Sequence, residues 1–177
     1  MNNLGFKKLS AENWLEPESV MSAFIQVSLK DFTKFPISAD DWVNRFLKPQ
    51  LDHNVPVEIL KLFEVARGAA AYGYFFYPLY TLSVEQLYRI AEAAVSAKCK
   101  LLGAKSCKVR RFQDKISFLR EQNVILQQDW IWWDSIRQLR NYASHPERQT
   151  IMMPHDTLYN LSSVAKHING LFAIPAA

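Results

Sequence analysis

A chain of 177 residues with 49% hydrophobic and 21% charged residues has the length and balance of one ordinary globular domain, which excludes a disordered or low-complexity protein. Its net charge of +4 is a mild tilt toward anionic partners such as RNA and falls short of the strongly basic signature of a dedicated nucleic-acid binder. Only 5 glycines, against 5 Trp, 7 Tyr and 11 Phe, argue against a turn-rich β-sandwich and for helices packed on large rings.

Residues 1–16 read as a lead-in, with no apolar stretch of the kind that marks a signal peptide. Glu18 to Phe32 carries Val20, Met21, Phe24, Ile25 and Leu29 at helical spacing and predicts a first helix. Ser38 caps a second, with Asp40 and Asp41 in its first turn, running through Trp42, Val43 and Phe46 to a stop before Pro49. Asn54-Val55-Pro56 opens a third, which carries Val57, Leu60, Leu62, Phe63, Val65 and Ala66 and reaches Phe75 or Phe76 before Pro78. Ser83 with Gln86 is a capping-box pattern opening a fourth helix, through Leu87, Ile90, Ala91, Ala94 and Val95 to Gly103. A fifth spans Lys108 to Gln122 with Phe112, Ile116, Phe118 and Leu119, and Asn123 ends it. Asp129 caps a sixth, Trp130 to about Ala143, closed by Pro146. Pro154 begins a seventh, through Leu158, Leu161, Val164, Ala165 and Ile168 to a stop at Gly170.

No stretch alternates apolar and polar residues as a strand does, and there are no repeats. The expectation is one all-α domain over residues 1–177, an antiparallel helical bundle with residues 54–172 as its core and 1–50 as an N-terminal helical extension. The longest uncharged run, Gly68 to Val84, is interrupted by Gly73 and Pro78 and falls short of the roughly 20 apolar residues a span needs, so no membrane is expected. Cys99 and Cys107 form no CxxC pair, and no Cys/His set has zinc spacing. Free thiols in a reducing, cytoplasmic setting follow, with no metal and no cofactor.

The sharpest chemistry lies in Arg140-Asn141-Tyr142-Ala143-Ser144-His145. At about 100° per residue, Trp132, Ile136, Leu139 and Ala143 form the expected core face of the sixth helix, with Trp133 and Arg140 on its flank. His145 precedes a proline, which ends the helix near Ser144 and frees the imidazole to turn toward the arginine. Arginine grips phosphate oxygens with a fork of donors, and histidine moves a proton near neutrality. RNA carries its own nucleophile beside each phosphate, so these two groups suffice for cleavage without a metal. A structural alternative also holds: an arginine near a helix C-terminus and a histidine just beyond it favour the helix dipole and cap its carbonyls.

Arg140-Asn141-x-x-x-His145 resembles the R-x4-6-H motif of the HEPN superfamily, most densely over residues 128–148. The resemblance implies a helical bundle whose motif sits near a helix end, commonly at a homodimer interface. It also implies metal-independent endoribonuclease activity in a toxin–antitoxin, defence or stress system, with an antitoxin or another operon protein as a possible partner. In that reading Arg140 and His145 are catalytic, Asn141 and Ser144 orient them, and cleavage leaves a 2′,3′-cyclic phosphate and a 5′-hydroxyl. The alternative within the same superfamily is a non-catalytic module that binds RNA or a protein. Glu147 stands where one subgroup, the partners of minimal nucleotidyltransferases, has a tyrosine, which argues against that type. Arg148 and His155 also meet the loose spacing, with Pro154 between them and no clear helix beneath.

Lys98 to Lys115 concentrates positive charge, and Lys105, Lys108, Arg110 and Arg111, with Arg137 on the next helix, are candidate phosphate-binding residues. Their alternative is a solvated loop and helix start. Glu85 and Glu92 share one flank of the fourth helix and are candidates to orient an active-site arginine or histidine. Arg67 is a candidate partner for either glutamate. The aromatic block from Tyr72 to Tyr80 suits core or dimer packing better than base stacking.

Overall fold

The computed structural model describes residues 5–105, 109–144 and 150–173. Helix α1 (Ala39–Leu47) starts where expected: the Ser38 hydroxyl accepts from the Asp41 N–H at 3.1 Å. Trp42 and Phe46, one turn apart, bury the inner face of α1. Helix α2 (Val57–Tyr72) and helix α3 (Leu79–Leu101) form an antiparallel pair, tied where the buried Ser83 hydroxyl donates to the Ala66 carbonyl at 2.8 Å. Ser83 is therefore an interior residue of α3 and not its cap, because Pro78 starts the helix one turn earlier. Helix α2 ends at Tyr72, short of Phe75. The Gly73 N–H closes it onto the preceding carbonyls, and Val57 and Val65 face solvent while Ile59, Phe63, Ala66 and Ala70 carry the core contact.

Helix α3 is the central element and touches α2 and three helices that follow it, α4 (Phe112–Glu121), α5 (Trp130–Ala143) and α6 (Pro154–Ala173). Val84, Leu87, Ile90, Ala91, Ala94 and Val95 are all buried, the pattern of a helix enclosed on most sides. Gly103 ends it with φ +70°, a left-handed conformation that glycine adopts without strain. Helix α4 begins at Phe112, with the Asp114 carboxylate accepting from the Arg111 N–H at 3.0 Å, and Asn123 at φ 57° closes it. Helix α6 continues through Gly170 to Ala173, because Leu171 and Phe172 bury against the core and extend the helix past the glycine. It runs in the same direction as α3. The Thr81 hydroxyl donates to the Thr150 carbonyl and accepts from the Met152 N–H near one end, and the Lys98 ammonium lies 5.7 Å from the Phe172 ring centre near the other.

The main departure from expectation is at 18–36. In place of a helix there is a short 3-10 turn at Ser19–Ala23, then strand β1 (Ile25–Val27) paired antiparallel with strand β2 (Lys34–Pro36). Phe24 packs on Trp42 with ring centres 5.2 Å apart, and this tertiary contact fixes the chain where the helical pattern would have continued. The fold is thus mostly helical with one small hairpin, and the N-terminal extension is not helical throughout. Glu18, 2% exposed, ties the lead-in to the body: its carboxylate accepts from the Lys7 N–H at 2.9 Å and the Tyr77 N–H at 3.4 Å. The buried residues form one cluster running from Met21 to Phe172.

Candidate functional site

Helix α5 occupies the expected residues but is turned from the expected face. Trp133 and Ile136 are buried, Trp132 is half-buried and Leu139 is 42% exposed. The indole of Trp133 removes more apolar surface from water than Leu139 can, and its burial decides the rotation. Arg140 lies seven residues beyond Trp133, two helical turns on, so the same rotation carries it inward toward α3.

There it meets an acid. Arg140 Nε lies 2.7 Å from Glu92 Oε2, and the other oxygen of that carboxylate, Oε1, lies 3.6 Å from Lys115 Nζ on α4. One carboxylate on α3 therefore holds a cation from α4 and another from α5. The Arg140 contact is an ion pair rather than an aligned hydrogen bond, since the buried Nε–H is not directed at an acceptor. Nε is buried while the whole side chain stays 36% exposed, which leaves the terminal nitrogens able to meet an anion. The Ser144 hydroxyl donates to the Arg140 carbonyl at 2.9 Å and lies 3.5 Å from Arg140 Nη1.

His145 lies outside the described residues, as do Lys108 and Arg148. Asn141 is exposed, and no side-chain bond joins it to Arg140 among the described residues. Arg137 is held by Asp134 through two contacts of 2.8 Å, which also keep the Asp134 carboxyl below its usual range. Lys105, Arg110 and Arg111 are exposed in the α3–α4 connection and at the start of α4, and none bonds to the Arg140 cluster among the described residues. Lys115, from the same basic stretch, does join it. Glu92 and not Glu85 pairs with the motif arginine. Arg67 pairs with neither: it reaches Glu64 at 3.1 Å and the Leu47 and Pro49 carbonyls at 3.4 and 3.2 Å, capping the end of α1. Within the aromatic block Tyr80 is buried against Phe46 and Tyr77, while Tyr72 is exposed.

A second polar cluster was not foreseen from sequence. The His167 ring stacks on Trp132 at 3.7 Å between centres and meets Trp133 edge-on at 6.2 Å. Its Nδ1 pairs with the Ser163 carbonyl at 2.7 Å, and Nε2 lies 3.7 Å from Asp129. Burial pushes the His167 pKa down, against the pull of the Ser163 carbonyl and Asp129. A histidine depressed in the folded state contributes stability that is present above its unfolded value, about 6.5, and is lost as pH falls toward the folded one. The urea midpoint of the wild type is therefore expected to drop between pH 7.5 and pH 5 more than that of His167→Phe, which keeps the stack and cannot titrate. Equal drops would show that other groups carry the acid sensitivity.

Among the described residues, no three His, Cys, Asp or Glu side chains gather into a set that could hold a metal ion, and no helix is long and apolar enough to cross a membrane. The Cys99 thiol is buried, and burial pushes its pKa up to about 11, which suits an unreactive core residue. No family model, curated protein or solved structure matches the chain.

Proposed function

We propose that the chain is a HEPN-like, metal-independent endoribonuclease, acting in the cytoplasm as a homodimer in a toxin–antitoxin, defence or stress setting. The observation that carries this reading is Arg140, set at the C-terminal end of α5, braced by Glu92 and Ser144, and followed within five residues by His145. In the proposed reaction the RNA 2′-oxygen forms a bond to phosphorus while the bond to the 5′-oxygen breaks. His145 takes the 2′-hydroxyl proton or supplies one to the leaving oxygen. Arg140 stabilises charge on the non-bridging oxygens with its terminal nitrogens. Lys105, Lys108, Arg110 and Arg111 would draw the RNA backbone toward the domain, while Arg137 is already occupied by Asp134.

Support for the homodimer comes from the outer side of α5, where Ile131, Leu139 and Tyr142 are exposed at 77%, 42% and 73% along one stripe beside the motif. An antitoxin or another operon protein would compete for that stripe. RNA cut by the purified protein is expected to carry 2′,3′-cyclic phosphate and 5′-hydroxyl ends, and 5′-phosphate ends would rule out attack by the 2′-oxygen.

A second reading rests on the same ion pair. Glu92 already neutralises Arg140, as it would in a non-catalytic helical module that binds RNA or a partner protein. That module is expected to leave RNA intact while retaining its partner.

A further inference from the structure

The described N-terminal segment, residues 5–36, holds nine of the 22 large apolar residues that are exposed among the described residues. Its charges balance: Lys7, Lys8, Lys30 and Lys34 stand against Glu12, Glu16, Glu18 and Asp31. A neutral apolar surface of this kind suits neither a polyanion nor an acidic membrane. It suits a protein surface of the same character.

The hairpin says which surface. Ile37 N–H bonds to Phe24 O, and Ser28 N–H bonds to Thr33 O, so the even-numbered residues of β1 point their backbone groups at β2. Ile25 and Val27 therefore turn their N–H and C=O groups outward, and no partner reaches them among the described residues. The outer edge of β2 is protected by Pro36, which has no N–H, and by Lys34. One edge is open and the other is closed. At the tip, Leu29 is 91% exposed, and Phe32 is 76% exposed while held at φ 57°. A bulky residue is strained in that conformation, where asparagine or glycine would fit, and the turn itself gives no reason for the ring.

From this edge we infer that β1 pairs with β1 of a second copy, antiparallel about Gln26, making a four-stranded sheet across a two-fold axis. The register is self-complementary. Ile25 of one copy faces Val27 of the other, each pair exchanging two backbone hydrogen bonds, and four branched apolar side chains meet on one face. The interface is separate from the α5 stripe. With both in use the assembly exceeds a dimer, and failure of the nuclease reading leaves the β1 interface untouched.

The pairing places the two Gln26 residues opposite each other in a non-hydrogen-bonded pair, with Cα atoms about 4.5 Å apart. That is within disulfide reach. In a Cys107→Ser background, Gln26→Cys is expected to form a covalent dimer under oxidised glutathione. Lys34→Cys, on the closed edge, is expected to stay reduced. Equal cross-linking of the two variants, or none in either, overturns the proposal. Val27→Lys, at an exposed position, is a second check by sedimentation. It is expected to halve the assembly mass, and an unchanged mass contradicts the β1 interface.

Discussion

Arg140→Ala is expected to lower RNA cleavage by about a hundredfold or more, the usual effect of removing one group that stabilises charge in a transition state. Under the proposed reading the loss is expected in the rate of the chemical step, with the other basic residues left to hold RNA. Arg140→Lys is expected to fail as a substitute. The arginine sets its Nε beside the Glu92 carboxylate as an ion pair and keeps its terminal nitrogens for other contacts, whereas a lysine has one charged nitrogen for both tasks. Glu92→Gln separates bracing from charge. It leaves Arg140 in place but removes the charge shared with Lys115, and cleavage is expected to fall less than with Arg140→Ala. All three ion partners are partly exposed, so the change in stability should stay within about 1 kcal/mol. Initial rates on a labelled oligoribonucleotide check the series. A folded Arg140→Ala variant with the wild-type rate removes this arginine from the site.

The second large effect is on stability. A Cβ at Gly73 would lie 2.5 Å from the Tyr80 ring, which is fully buried and cannot move aside as a surface side chain would. The ring is also fixed at its far end, where the hydroxyl accepts from Trp42 Nε1 at 2.6 Å. The same burial pushes the Tyr80 pKa up, so the phenol stays protonated. Gly73→Ala is therefore expected to destabilise the fold by about 1–3 kcal/mol through overpacking. The mechanism has its own signature. Adding Gly73→Ala to Tyr80→Leu, which removes the ring atoms in the way, should cost less than adding it to the wild type. Urea denaturation of the four proteins measures the coupling, and simple additivity would place the strain elsewhere.

Much of the helical layout was legible because it is written in local chemistry. Ser38, Asn123 and Gly103 act at their helix ends as expected, and α5 covers the expected residues. The errors arise where a distant contact overrides a local pattern. Phe24 on Trp42 helps turn a helical-looking stretch into a turn and hairpin, and strands of three residues are too short to display alternation. Ser83 looks like a cap but serves a neighbouring helix. In the candidate site, the motif arginine and an acid to brace it were readable as residues on two helices. That Glu92 rather than Glu85 faces Arg140 depends on the rotation set by Trp133, and the stack of His167 on Trp132 depends on α5 meeting α6. Neither leaves a trace in sequence spacing.

Metal-independent cleavage through His145 is tested by incubating total RNA in EDTA with the purified wild type and with His145→Ala, side by side, and reading both the cleavage and the ends. Fragments with 2′,3′-cyclic phosphate ends are expected from the wild type and none from the variant. Intact RNA with both folded proteins would contradict it and favour the binding module.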